Sequence, residues 1–262
     1  MFIHNFNPVF IDLHFIEIRW YSLAYIFGII GGWMYAKRII KNIKINSNLS
    51  YLKLKDFDDF IPYLIIGIIV GGRLGYVFIY NLEYYIKNFQ EILYIWQGGM
   101  SFHGGLMGVI FATIIYAKKK SIRTFIYLDI LACVAPIGFF LGRISNFING
   151  ELYGKVTNVA WSVIFPNSEN LARHPSQIYE AILEGLILFI ILNYLAFKKK
   201  LIYSNGTISI LFLYFYSIFR FFSEIFREPD QQIGYILYSL SMGQVLSIIM
   251  FVTGISIYLI RK

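Results

Sequence analysis

The chain has 262 residues, 58% of them hydrophobic and 19% aromatic, with only 15% charged and a formal charge of +8. That is too apolar for an ordinary soluble domain. The basic residues stand in short runs between apolar stretches, so no nucleic-acid partner is needed to explain the charge.

A helix needs about 20 mostly apolar residues to cross about 30 Å of hydrocarbon. On that criterion the predicted spans are 17–36, 59–80, 99–117, 124–142, 175–197, 206–226 and 237–260. The expectation is an all-α, polytopic membrane helix bundle with seven transmembrane helices, forming one integral membrane domain over residues 1–262. The connections "KRIIKNIKINSNLSYLKLK", "KKKSIR" and "KKK" and the tail "RK" hold 15 of the 23 basic residues, all on one face under these spans. Lys and Arg are retained on the cytoplasmic side of short loops, which predicts a periplasmic N-terminus and a cytoplasmic C-terminus. The opening "MFIHNFNPVFIDLHF" has no basic run ahead of an apolar core and no small-residue cleavage site, so it is expected to be retained.

In the first span, Tyr21 stands 16 residues before Lys37, ~24 Å above the cytoplasmic end. In the second, Arg73 of "GGRLGYVFIYN" stands 14 residues after Asp59, ~21 Å up. The third opens on "GGMSFHGGLMG", which spends five glycines, Gly98 and Gly104 among them, around Ser101 and His103. His103 is 15 residues before Lys118, at ~22 Å. Glycine permits backbone conformations and close approaches that side chains block.

The fourth span carries Cys133, the only cysteine, within "DILACVAPIGFF", where a buried small hydrophobe is expected. It ends near Arg143. The following "GRISNFINGELYGKVT" is rich in Gly and Asn and is predicted to be a re-entrant or cavity-lining segment, because irregular backbone at membrane depth needs protein or water to satisfy it. From Lys155 onward an exposed exterior loop is expected, so that about 143–174 forms a periplasmic segment. "RHPSQIYE" opens the fifth span, with Pro175 near its first turn. In the sixth, Arg220 stands 15 residues after Asn205, at ~22 Å. At 100° per residue, Tyr216, Arg220, Glu224 and Arg227 fall within about 80° of arc, a polar stripe. An Arg220–Glu224 ion pair at i, i+4 that only holds helices together is the plainer reading of part of that stripe.

Ionisable groups inside a bilayer usually face a protein interior or aqueous cavity. Several at one level, in the outer third of the membrane, suit a phosphate, because guanidinium forks deliver paired charge-assisted hydrogen bonds. A phospholipid headgroup is the implied ligand. His103 is the residue in this layer whose ordinary pKa lies near neutrality, making it the candidate general base or proton shuttle.

The ordered set "RWYSLAY", "GGRLGYVFIYN", "GGMSFHGGLMG", "GRISNFINGELYG", "RHPSQIYE", "FRFFSEIFREPD" and "SMGQVLSI" resembles the prolipoprotein diacylglyceryl transferase family over essentially the whole chain. The resemblance implies transfer of the diacylglyceryl group of phosphatidylglycerol to the lipobox cysteine thiol of a prolipoprotein. A thioether would form and glycerol 1-phosphate would leave. It also implies a multi-pass protein of the bacterial inner membrane with its active site facing the periplasm. Phosphatidylglycerol, the lipobox peptide and the lipid bilayer would be its partners.

By motif position it implies functional roles for Tyr21, His103, Arg143, Asn146, Glu151, Gly154, Arg220 and Glu224. Physically, Arg143 and Arg220 would meet the phosphate and its developing charge, with Asn146 and Tyr21 as orienting donors. Arg73, Tyr216, Gly98 and Gly104 are further expected binding-site residues, although Arg73 could equally brace helix packing. His103 would assist thiol deprotonation or position the lipid. Tyr153 and Lys155 stand where Trp and Arg are common in the family, and 158–173 is short. These departures bear on prolipoprotein recognition and leave the reaction intact.

A transporter or flippase is the leading alternative, but its polar groups should reach the inner half of the membrane. An intramembrane serine protease using Ser101 and His103 is disfavoured, since residues two apart on a helix point about 200° apart. A pure scaffold would tolerate substitution at His103 and Arg143. No metal is expected, because His4, His14, His103 and His174 form no tight ligand cluster in sequence, and no cofactor motif occurs.

Overall fold

A computed structural model describes residues 2–13, 17–46, 53–166, 168–229, 234–236 and 239–261. His14, part of the first basic connection (47–52), the expected start of the last span at 237 and 238, and Lys262 lie outside the described residues. The long helices are α1 (Trp20–Asn46), α2 (Leu54–Tyr80), α4 (Phe102–Lys120), α5 (Thr124–Asn149), α6 (Ser176–Lys198), α7 (Thr207–Ser223) and α8 (Met242–Arg261); α3 (Leu82–Lys87) is a short helix after α2. By length and composition α2, α5, α6 and α8 are each able to cross a membrane, and α7 is a shorter apolar helix. The described residues group into two compact units, 1–36 with 131–262, and 37–130. The boundaries fall within α1 and α5.

Local chemistry sets the helix ends. Ser101 caps α4 by accepting the Gly104 N–H (3.2 Å), and Lys118, Lys119 and Lys120 stand in its last turn, where cations favour the dipole. Ser121 closes that helix in the left-handed region, at φ 55°. At the start of α8, "SMGQ" forms a reciprocal capping box. Ser241 Oγ accepts the Gln244 N–H (3.2 Å), and Gln244 Oε1 accepts the Ser241 N–H (3.1 Å).

Within the 37–130 unit, α2 and α4 meet through Gly67, Gly71 and Gly75 on one side and Gly104 and Gly108 on the other. A Cβ at Gly67 would stand 2.6 Å from the Gly108 carbonyl oxygen, and one at Gly75 would stand 2.5 Å from Gly104 Cα. Small residues four apart let two helix backbones touch, the arrangement that packs helices where lipid is as apolar as the side chains. The five glycines of "GGMSFHGGLMG" are thus partly explained as packing.

Among the described residues, the first unit also holds three small sheets. The β1 strand (Phe2–Ile3) pairs in parallel with β4 (Val163–Ile164), which pairs antiparallel with β5 (Ala172–Arg173). β2 (Val9–Asp12) and β3 (Glu17–Arg19) form a hairpin, as do β6 (Tyr235–Ile236) and β7 (Leu240–Ser241). His4 is buried, its Nε2 2.7 Å from the Phe147 carbonyl oxygen, and its ring packs on Phe6, Phe147 and Phe165.

Two expectations are corrected here. The segment 143–149 is neither re-entrant nor irregular: α5 continues through it and stops at Gly150, whose φ of 65° suits a helix end. The stretch after Lys155 is not a bare exterior loop, because Ser162, Val163, Phe165 and Ser168 are buried beneath the N-terminal strand and its neighbours.

Candidate active site

Three helices of the first unit deliver charge to one buried place. Arg143 comes from α5, Glu180 and Glu184 from α6, and Arg220 from α7, with Glu224 and Arg227 following it in the chain. Glu180 Oε2 accepts from Arg143 Nε (2.7 Å) and Arg220 Nη1 (2.8 Å), while its Oε1 lies 3.5 Å from Arg227 Nη1. Glu184 takes Arg220 Nη1 at 3.4 Å, Arg143 Nη2 at 3.7 Å and the Ser223 hydroxyl at 2.9 Å. Glu224 pairs with Arg220, stands 3.8 Å from Arg227 Nε, and accepts the Ser241 hydroxyl at 2.6 Å.

Three guanidinium groups therefore face three carboxylates, so the set is neutral as it stands. Buried ions persist only when paired and hydrogen-bonded. Arg143 is the most open of the three arginines, with 17% of its side chain exposed against 10% for Arg220 and 9% for Arg227.

Glycine sets the close approaches around this cluster. A Cβ at Gly185 would stand 2.6 Å from Phe140 Cβ, so glycine there lets α6 lie against α5. A Cβ at Gly243 would stand 2.6 Å from the Glu224 carboxyl carbon, so the start of α8 must be bare for Glu224 to reach Ser241. Across Ala181–Ile187 the α6 hydrogen bonding widens to the π pattern, with Glu184 inside it. Such segments are rare and frequent at functional sites. Tyr216 is buried beside the cluster, between Phe212 and Phe139.

One turn further along α5, Asn146 Nδ2 donates to Glu151 Oε1 (2.8 Å), and Asn149 Nδ2 reaches the same oxygen at 3.3 Å. From the first turn of α6, Gln177 Nε2 donates to the Glu151 backbone carbonyl (2.6 Å). The Glu151 side is exposed, whereas Gln177 is 1% exposed. Beyond this layer, the His174 Nδ1 is 3.1 Å from the Tyr179 hydroxyl, which accepts the Trp161 indole N–H at 2.7 Å. Burial, and then the Lys155 charge, hold the His174 imidazole below its ordinary pKa.

The expected site residues thus divide. Arg143, Arg220 and Glu224 share one cluster, and Asn146 and Glu151 bond to each other next to it. The Tyr21 hydroxyl meets that of Tyr25 (3.3 Å), and Tyr25 is close enough to Arg143 and Glu151 to feel their charges. Gly154 packs backbone on backbone. Its N–H donates to the His174 carbonyl (2.9 Å), it bridges Arg227, and a Cβ there would stand 2.7 Å from His174.

In the 37–130 unit, His103 occupies the first turn of α4, its ring edge-on to Phe102. Arg73 is a brace: its guanidinium donates to the carbonyls of Glu91 (2.6 Å), Ile92 (2.9 Å), Gly98 (2.5 Å) and Gly99 (3.3 Å), and it lies over the Tyr85 ring. Gly98, at φ 84°, serves by presenting that carbonyl, and Gly104 is committed to the α2 contact. These two glycines and Arg73 thus have structural employment, which for Arg73 is the bracing role that its position also allowed. Ser101, a cap, has the same.

Sequence reasoning missed Glu180, Glu184, Gln177 and Ser241. Two carboxylates at i, i+4 inside an apolar span were a usable signal, since charge in such a helix needs a partner.

Comparison with known proteins places these residues in context. A family model described as prolipoprotein diacylglyceryl transferase matches residues 8–260. The chain is 52% identical over 257 residues to the phosphatidylglycerol--prolipoprotein diacylglyceryl transferase of Rickettsia canadensis (strain McKiel), covering 98% of this chain and 97% of that one. It is 52% identical over 250 residues to the protein of that name from Rickettsia felis (strain ATCC VR-1525 / URRWXCal2), covering 95% of each. With the corresponding protein of Rickettsia bellii (strain OSU 85-389) it is 52% identical over 258 residues, 98% of this chain and 95% of that one.

Proposed function

Because the chain belongs to the prolipoprotein diacylglyceryl transferase family, we infer that it is a transferase that moves the sn-1,2-diacylglyceryl group of phosphatidylglycerol onto the lipobox cysteine of prolipoproteins. The thiolate sulfur attacks the glyceryl carbon that bears the phosphate, and the carbon–oxygen bond breaks. A thioether remains on the peptide, and glycerol 1-phosphate departs with the electron pair. The thiol proton is left for a base or for the phosphate itself. This is the first step of lipoprotein maturation. It takes place in the bacterial inner membrane, and the run of basic residues on one predicted face supports a site that opens to the periplasm.

The observation that carries this reading into the geometry is the convergence of Arg143 and Arg220 on Glu180 Oε2. The phosphate gains charge as the bond to carbon breaks, and fixed guanidinium donors stabilise charge that develops in the transition state. Since three carboxylates already balance the three arginines, the lipid phosphate enters by exchange, taking donors from Glu180 and Glu184. Arg143, the most open arginine, is the first to make that exchange. His103 is assigned the thiol proton, because the thiolate is the nucleophile and imidazole accepts protons near neutrality.

The test is direct. Purified protein given labelled phosphatidylglycerol and a lipobox peptide should raise the peptide mass by one diacylglyceryl group, and Arg143→Ala and His103→Gln should abolish the gain. A folded wild-type protein that produces no gain would overturn the reading.

A further inference from the structure

We propose that Gln177, with Asn149, is a headgroup-specificity determinant that accepts hydrogen bonds from the glycerol hydroxyls of the lipid donor. The inference rests on the transferase reading and names the part of its site that recognises the non-transferred glycerol.

Gln177 is 1% exposed and its Oε1 has no hydrogen-bond partner; the Oδ1 of partly buried Asn149 is likewise buried without one. Buried amide oxygens are nearly always satisfied, so each exception calls for a cause. The orientation of both amides is fixed by their nitrogens. Gln177 Nε2 donates to the Glu151 carbonyl at 2.6 Å, and Asn149 Nδ2 points to Glu151 Oε1 at 3.3 Å. Turning either amide over would set oxygen against oxygen. Two acceptors are therefore held beside one residue, Glu151, whose own surroundings are exposed and can admit a ligand. What is missing is a pair of donors.

Position relates this pair to the arginines. Asn146 and Asn149 follow Arg143 along α5, while Gln177 precedes Glu180 on α6. The two helices pair in opposite senses: Arg143 meets Glu180, and beyond that Asn146 and Gln177, each about one turn away, and Asn149, nearly two turns away, gather on Glu151. One helical turn is about 5 Å, a distance that a three-carbon head extending from a bound phosphate covers. A phosphate at Arg143 would thus carry its glycerol to the amide layer, where two hydroxyls supply the two donors. A site built to receive a hydroxyl rejects the analogue that lacks it, because the buried acceptors are then left unpaired.

The experiment compares phosphatidylglycerol with phosphatidylmethanol, which keeps the phosphodiester and lacks both hydroxyls, as donors to a lipobox peptide. Wild type should favour phosphatidylglycerol by at least about 100-fold in kcat/KM. In Gln177→Met that ratio should fall at least tenfold, with the drop on the phosphatidylglycerol side. Asn149→Ala, at a partly buried position that tolerates change more readily, should lower it in the same direction. Equal use of the two donors by wild type overturns the proposal whatever the variants do, as does a proportional loss with both donors in both variants. Turnover of neither donor by folded wild type overturns the transferase reading, and the proposal falls with it.

Discussion

Along the α2–α4 contact, helix meets helix backbone to backbone, through Gly67, Gly71 and Gly75 against Gly104 and Gly108. Among α5, α6 and α7 the joining groups are long charged side chains, Arg143 and Arg220 reaching Glu180 and Glu184 from different helices. Both arrangements replace the hydrophobic drive that lipid removes between helices. The first is close packing and is intolerant of added volume. The second depends on charge balance and is intolerant of lost partners. The difference teaches that a conspicuous motif and a functional one need not coincide. The glycine-rich stretch is largely a contact surface that carries His103 on its first turn, whereas the unadorned helix α6 supplies two of the three carboxylates of the ionic cluster.

The largest effect expected comes from breaking the ionic side. Glu180→Ala leaves Arg143, Arg220 and Arg227 without their shared carboxylate, and removing one partner of a buried ionic set costs about 3–5 kcal/mol. Thermal unfolding in detergent should show a shift of many degrees together with lost transfer activity. A Tm close to that of wild type would mean the cluster is not held by charge. Next in size is the glycine side. Gly108→Val drives a branched side chain into the Gly67 carbonyl, and overpacking of this kind costs about 1–3 kcal/mol. Gly105→Ala is the internal control, because a Cβ there meets only the Ile68 carbonyl oxygen at 3.8 Å. The same unfolding measurement should separate the two variants, and equal Tm values would remove the argument that backbone contact holds α2 to α4.

Much of this was legible from residue type and order. Apolar runs located the helices, and the 100° arithmetic put Tyr216 and Arg220 on one face of α7; Glu224 and Arg227, which follow the end of that helix at Ser223, are buried as they are. The i, i+4 pairing of Arg220 with Glu224 was also readable and is present. What the sequence could not convey was mutual engagement. Arg73 reads like a ligand residue at membrane depth, yet four backbone carbonyls from 91 to 99 claim it, and carbonyl direction is a property of loop conformation rather than composition. Glu180 and Glu184 hid inside "QIYEAILEG" because their partners lie about 36 to 40 residues away on α5 and α7. The helical course of 143–149 was concealed by its asparagines and by the glycines that flank it, Gly142 and Gly150, residues that favour caps and turns, although asparagine continues a helix when its flanks are packed.

The smallest effect tests the rim of the ionic unit instead of its centre. His174 sits outside the spanning segments, its backbone bonded to Gly154 and Lys155 and its ring between Tyr179 and Phe226. Burial first, and then the Lys155 charge, lower its pKa from the ordinary value of about 6.5. A base whose folded pKa is depressed binds fewer protons in the native state than in the unfolded one, so stability rises with pH through this window. The contribution is complete above the ordinary value and is lost as pH falls through the folded one. Wild-type Tm should therefore decline modestly between pH 7.5 and 5.5. His174→Gln should flatten that slope while leaving the charge-balanced cluster at Arg143, Glu180 and Arg220 intact. A Lys155→Met variant should flatten it less, since burial is the larger cause. Identical slopes in wild type and His174→Gln would show that the rim does not feel this proton, and that the pH response of the unit arises at the carboxylates within.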